Sequence, residues 1–405
     1  MNVQVVRNIS KLYSCAENRA KAQSEYVETA ALVIQNDAFS WLGAEKDLPP
    51  EYQQTPSLNA NQKILVPGLI DCHTHLAFGG WRADEFKERC LGTTYLEIAQ
   101  RGGGILNTMQ QTRKVNEDAL FERTKIFLRQ MSARGVTTVE AKSGYGLSVE
   151  AELKQLRVYK RLQQEAVTRV VPTFLGAHTI PPEFKQKRTE YIDILCEQLL
   201  PQVAEQNLAK FCDVFCEVSA FSIEESRRIL TRATNLGLKL KLHADQLSSF
   251  GAAELAADVG AISADHLEYA SDAGLHAMAA HGVMPVLLPI ATLYTREKWA
   301  RMERFRKAGL PVAFASDFNP GSAPSFSLEL VMLLACTQNG ASPYEALQGV
   351  TINAARALQL QESIGSIEVG KLADFALIDA LSVEEWISHF NPSREISVFK
   401  SGKLL

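Results

Sequence analysis

The chain has no long apolar run, no excess of either charge and no paired set of cysteines, and each absence removes a class of function. Its longest apolar stretch, around Gly282 to Tyr294, is broken by Pro285 and Pro289, well short of the roughly 18 residues that read as a membrane span. The opening residues MNVQVVRNISKLYS lack the apolar core and small-residue cleavage site of a secretory signal. Lys and Arg total 42 against 46 for Asp and Glu, a net charge of -4 without a long run of either sign. That balance argues against nucleic acid and against a polybasic membrane contact. Seven cysteines, Cys15, Cys72, Cys90, Cys196, Cys212, Cys216 and Cys336, are odd in number and scattered, which suits a reducing cytoplasm better than a disulfide framework. Cys212 and Cys216 have no second thiol pair beside them and read as buried apolar residues. There is no internal repeat, no low-complexity tract, and no GK[ST] after the glycine triplet Gly102 to Gly104, which reads as a loop rather than a phosphate cradle.

What the 405 residues do contain is alternation. Short β-branched runs end in polar residues and are separated by helix-length amphipathic segments. The runs are KILVPGLID (to Asp71), GVTTVEAK (to Lys142), RVVPTFLGAH (to His178), KFCDVFCE (to Glu217), LKLKLH (to His243), AISADH (to His266), VMPVLLP (to Pro289) and PVAFASD (to Asp317). Between them, 148–168, 185–206, 222–236 and 295–308 carry helical spacing. Eight such units over about 250 residues predict an α/β fold, a (β/α)8 TIM-like barrel, with a doubly wound open sheet as the alternative. The flanks differ: ALVIQ, FSWLG, SIEVGKLADFALID and ISVFKSGKLL alternate as strands. A small β-sandwich built from both termini is expected, its halves being 1–62 and 361–405 around a barrel of 63–360.

The strongest local signal is Asp71-Cys72-His73-Thr74-His75, where an apolar strand runs out. In extended chain, residues i and i+2 share a face, so His73 and His75 can present two imidazoles into a barrel mouth. Convergent neutral imidazoles suit a zinc- or iron-type cation. His243, His266 and Asp317 each close another strand, and in a barrel all such ends open on one rim. His276 and His281 serve as controls; both read as surface residues.

These segments carry a resemblance. VPGLIDCHTH, HADQ, SADH and the strand-end Asp317 resemble the metal scaffold of the amidohydrolase superfamily. The resemblance implies that His73, His75, His243 and Asp317 hold one Zn or Fe ion per subunit, with His266 beside it. The fourth strand ends Phe215-Cys216-Glu217 without a bridging lysine, which argues for a mononuclear site. AFGGWRADEF, RGGGI, EAKSGYGL, FLGAHTIPPE, DVFCE and SDFNPGS are similar, more narrowly, to the imidazolonepropionase family, which opens 4-imidazolone-5-propanoate to N-formimidoyl-L-glutamate in histidine degradation. That similarity implies a homodimer with a small-molecule substrate. It places Arg82, Tyr145, His178, Gln246, Asn319, Gly321 and Ser322 at the substrate, and Asp317, His266 and Gln246 in catalysis. Independently, Arg82 could clamp a carboxylate. Some relatives carry Glu where this chain has Gln246; an amide orients but cannot take a proton, so Asp317 is the expected base. Another amidohydrolase activity, such as nucleobase deamination or dihydroorotase-like hydrolysis, fits the same scaffold, as does a non-catalytic relative, against which all four ligands stand.

Overall fold

A computed structural model of the chain describes residues 3–16, 24–93, 97–98 and 101–405. The first strands are β1 (Val3–Leu12), β2 (Val27–Gln35), β3 (Ala38–Ala44), β4 (Ser57–Asn59) and β5 (Ile64–Pro67). Asn36 and Asp37, with φ of 49° and 70°, make the two-residue left-handed turn that joins β2 to β3. Eight strands follow: β6 (Leu69–Asp71), β7 (Val136–Lys142), β8 (Arg169–Ala177), β9 (Phe211–Cys216), β10 (Lys239–Ala244), β11 (Ser263–His266), β12 (Met284–Leu287) and β13 (Ala313–Phe314). The last described strands are β14 (Phe375–Ile378), β15 (Ile396–Lys400) and β16 (Lys403–Leu404).

β6 to β13 pair in parallel and in chain order, so every one of their C-terminal ends faces the same rim. The cylinder is drawn shut between its first and last strands: Asp317 N donates to His73 O (3.0 Å) and His75 N to Phe318 O (2.8 Å). Asp71 completes the seam by accepting from Ser316 N (3.1 Å) and Oγ (2.5 Å), and burial pushes its carboxyl up to about 7.

The terminal strands form one continuous path, β16-β15-β14-β5-β1-β2-β3, with β4 on β1. The sheet folds over its own core, so that Phe375 stacks on Phe399 at 4.5 Å and meets Phe39 at 6.2 Å. The run read as a single barrel strand, Lys63 to Asp71, is shared: Ile64–Pro67 pair antiparallel with Phe375–Ile378, while Leu69–Asp71 pair with β7. The passage between the two sheets therefore falls at Gly68 rather than at 62–63. A side chain there would place Cβ 2.5 Å from Thr137 Oγ1, so the crossing needs glycine.

Two helices depart from expectation. Residues 185–206 form Arg188–Ile194 and Leu200–Glu205 with a π turn between them, because Pro201 has no N–H to close a regular turn. The segment 295–308 is not one helix: Pro289 opens a helix, Pro289–Thr295, which ends on Arg296 at φ 60°, and a second runs over Met302–Lys307. Among the described residues no helix is long and apolar enough to cross a membrane.

Candidate metal centre and substrate pocket

Strand alternation makes the barrel interior charged. Glu140 and Lys142 on β7, Asp213 on β9, Lys241 and His243 on β10 and Asp265 on β11 sit at i, i+2 spacing, all but His243 fully buried. Lys142 Nζ bonds Asp213 Oδ2 (2.7 Å) and Glu140 Oε1 (3.0 Å) and lies 3.4 Å from Asp265 Oδ2. Lys241 Nζ lies 3.0 Å from the other Glu140 oxygen. Burial opposes charge on Lys142, yet Asp213, Glu140 and Asp265 outweigh it and hold the ammonium protonated well above its ordinary range.

The histidines expected to hold a metal stand on this layer. His73 Nδ1 donates to Asp265 Oδ2 (2.6 Å), and His243 Nδ1 to Asp213 Oδ1 (3.1 Å). Each carboxylate thereby fixes a tautomer and turns the lone pair of Nε2 toward the rim. His73 Nε2 and His243 Nε2 are buried without a hydrogen-bond partner. Asp317 Oδ1 lies 3.4 Å from His73 Nε2 and 3.3 Å from His75 Nε2. Donor atoms of His73, His75 and Asp317 fall within 4.8 Å of one another, as do those of His73, His243 and His266. His73 belongs to both trios, so the expected ligands and His266 converge on one place.

Charge fits a cation, and so does protonation at three of the four rings; at His73, against burial and Lys142, the Asp265 and Asp317 carboxylates raise the pKa instead. Burial lowers His75, His243 and His266, His243 to about 4, so these rings keep a free lone pair at neutral pH. Burial alone would raise Asp317, but the neighbouring His73 and His75 imidazoles hold its carboxyl well below the usual range. Glu140, Asp213 and Asp265 against Lys142 and Lys241 leave one negative charge; Asp317 adds a second. A divalent ion would bring this buried set to neutrality. A third group, His73, Glu140 and Asp265, also has metal-like spacing, but the two lysines already neutralise it. One cation, rather than two, matches the donors.

The backbone is strained where the site is built. His266 (φ 82°), Leu267 (φ 67°) and Asp317 (φ 54°) are left-handed without being glycine. That turn folds Glu268 back until its Oε2 is 3.9 Å from His266 Nδ1, and burial raises this carboxyl to about 8.

Of the residues expected at the substrate, His178 and Tyr145 pack beside His75. His178, just past β8, stacks on His75 at 5.2 Å between ring centroids and donates Nδ1–H to Gly144 O (3.0 Å). Burial, with His75 and His243 nearby, lowers it well below its usual value. Tyr145 lies 5.6 Å from His75 and 5.4 Å from His178, ring to ring. Arg82, 4% exposed, packs on the loop after Asp317: a Cβ on Gly321 would fall 1.4 Å from its Nη2. Asn319 is engaged wholly within that loop, donating to Asp317 O (2.7 Å) and Ser322 Oγ (2.9 Å) and accepting from Gly321 N and Ser322 N, both at 2.8 Å. It shapes the loop that Gly321 and Ser322 present. Gln246 is half-buried after β10. Asp245 accepts four N–H groups from Phe250 to Ala253, and Glu217 accepts Leu247 N at 2.9 Å, which pins the chain on both sides of it.

Other expectations resolve simply. Gly104 N donates to Glu85 Oε1 (3.0 Å), and Glu85 lies 3.9 Å from Arg82 Nε, so the glycine triplet adjoins the arginine and gives one N–H to a carboxylate of the chain itself. Cys212 and Cys216 are buried in β9 as unpaired thiols. His276 and His281 bond only carbonyls of their own helix. The charged layer under the ligands escaped the sequence reading. Its signal was present as isolated charges inside apolar runs, at Lys241 two residues before His243, at Asp213 in KFCDVFCE and at Asp265 in AISADH.

Comparison with known proteins agrees with this geometry. The amidohydrolase family model matches residues 64–405. The imidazolonepropionase of Fusobacterium nucleatum is 44% identical over 99% of this chain and 98% of its own length. That of Cupriavidus pinatubonensis is 45% identical over 93% and 90%. Among solved structures, a triazine hydrolase variant superposes with a TM-score of 0.80 at 16% identity, covering 100% of this chain and 95% of that one. Guanine deaminase from E. coli gives 0.74 at 14%, covering 100% and 99%; these two share the fold.

Proposed function

We propose, for a chain that belongs to the amidohydrolase family and within it to the imidazolonepropionases, that it opens the ring of 4-imidazolone-5-propanoate by hydrolysis to N-formimidoyl-L-glutamate. The observation that carries this reading is identity of 44% and 45% to curated imidazolonepropionases over nearly the whole chain. The site's chemistry fits it. His73, His75, His243 and Asp317 would hold the cation, zinc or iron, which when bound supplies a water of lowered pKa and a Lewis acid for the ring carbonyl.

The chain's own groups do the rest. Arg82 pairs with the propanoate carboxylate, and Tyr145 and His178 flank the ring so that its carbonyl carbon faces the water. Asp317 accepts the water's proton and returns it to the departing ring nitrogen. His266 steadies charge on the carbonyl oxygen, and Gln246 orients the ring as a hydrogen-bonding amide. A cytoplasmic homodimer completes the reading.

Loss of imidazolone absorbance on adding the purified chain tests the activity. Turnover of cytosine or guanine with no turnover of imidazolone propanoate would replace this reading with a deaminase. Arg82→Ala is expected to raise KM by about 10- to 100-fold, the loss of a charged hydrogen-bonded pair, with kcat changing less. Gly321→Ala should raise KM in the same direction, because the new methyl occupies the place of the guanidinium. Unchanged KM in both variants would remove Arg82 from the carboxylate.

A further inference from the structure

The helix Val149–Glu165, which follows β7, is polar on a face where a barrel helix ordinarily packs apolar groups. Glu152, Gln155 and Tyr159 are all fully buried, and their three- and four-residue spacing sets them in one stripe. Glu152 accepts N–H groups from Gly144 (3.0 Å), Gly146 (2.7 Å) and Leu147 (2.8 Å). Gln155 accepts from Tyr145 N (3.2 Å) and donates to Ala77 O (2.6 Å). Tyr159 OH accepts from Ala77 N (3.1 Å) and donates to Lys142 O (2.8 Å).

All the backbone N–H groups of 144–147, and both polar backbone atoms of Ala77, therefore end on one helix face. The first segment carries Tyr145 and offers Gly144 O to His178. The second lies two residues beyond His75. Burying a carboxylate and an amide costs free energy that an apolar stripe would not, so the stripe is explained by what it holds. Neither loop has a strand partner of its own at these positions, and buried N–H groups demand acceptors.

We propose that Glu152, Gln155 and Tyr159 form a brace that fixes the spacing between the cation ligand His75 and the substrate-holding pair Tyr145 and His178, and so sets which ring substrates the site accepts. The proposal rests on the imidazolone propanoate reading above. Glu152 and Gln155 are positioning residues; neither belongs to the groups placed at the substrate.

The test uses the metal-loaded chain, with E152Q and Q155M beside it. E152Q sets an amide N–H against a backbone N–H, and Q155M removes both loop contacts while keeping size. Each should raise KM about 10-fold or more, as expected for a sub-ångström displacement of binding groups, with a smaller change in kcat and unaltered metal content. Each should also speed deuterium uptake in the peptide 143–148. Lowered thermal stability with unchanged KM and unchanged uptake would overturn the brace. Absence of wild-type turnover would refute the substrate reading instead, and uptake in 143–148 would still decide whether the stripe holds the loop. Should E152Q fail to fold, Q155M carries the same two readouts.

Discussion

Asp317→Asn is expected to lower kcat on imidazolone propanoate by about 10³-fold, within the range usual for a lost acid–base group. The expectation follows from where the carboxylate stands. Asp317 is 3% exposed, held in a left-handed conformation at the barrel seam, with Oδ1 3.4 Å from His73 Nε2 and 3.3 Å from His75 Nε2. No other carboxylate among the described residues approaches both rings: Asp265 and Asp213 are spent on Nδ1 atoms and lysines. Asparagine keeps the shape but can neither take a proton nor supply the charge that balances a divalent cation. Rate should be measured at saturating metal, with bound metal determined on the same sample. A deficit that disappears when metal is restored would reduce Asp317 to a ligand and shift the proton transfer elsewhere.

Lys142→Met should be the most destabilising change of a residue outside the mouth. The ammonium lies between Glu140, Asp213 and Asp265, all without solvent access. Deleting one partner of a buried pair leaves uncompensated charge, a cost of about 3–5 kcal/mol, to be read from the urea midpoint. Metal affinity should fall as well, by roughly 10- to 100-fold, because Asp213 and Asp265 are the groups that orient His243 and His73. Chelator competition measures that directly. Lys241→Met provides the contrast. Its ammonium lies 3.0 Å from Glu140 Oε2 and donates to Cys72 O (3.3 Å); its charge acts on Asp265 but it does not reach Asp213, so its effect on metal affinity should be the smaller. Equal losses of affinity would mean that Lys142 acts through bulk charge alone.

The barrel was legible because each strand is buried on both faces and reads as an apolar run with a polar end. His73, His75, His243, His266 and Asp317 were legible for the same reason: strand ends in a parallel barrel meet at one rim. What stayed hidden lies one layer deeper. Asp213 and Asp265 are single carboxylates inside otherwise apolar stretches and Lys142 is a run's polar end, and sequence alone does not say which lysine meets which carboxylate across three strands. Glu152 and Gln155 look like the solvent face of an amphipathic helix, and only the loops they anchor show otherwise. Asn319 was placed at the substrate by resemblance, and its hydrogen bonds within the loop after Asp317 were not legible in the sequence. The boundary near 62 slipped because Ile64 to Asp71 is one apolar run serving two sheets, divided by the close approach at Gly68.

Metal stoichiometry is the most direct test of the central claim that groups from distant strands meet around a single cation. Elemental analysis of the purified chain should find one zinc or iron per chain. His243→Asn should retain less than about a tenth of that at the same free metal, since it removes one donor and idles Asp213. Two ions per chain, or full occupancy in the His243 variant, would contradict the site described above.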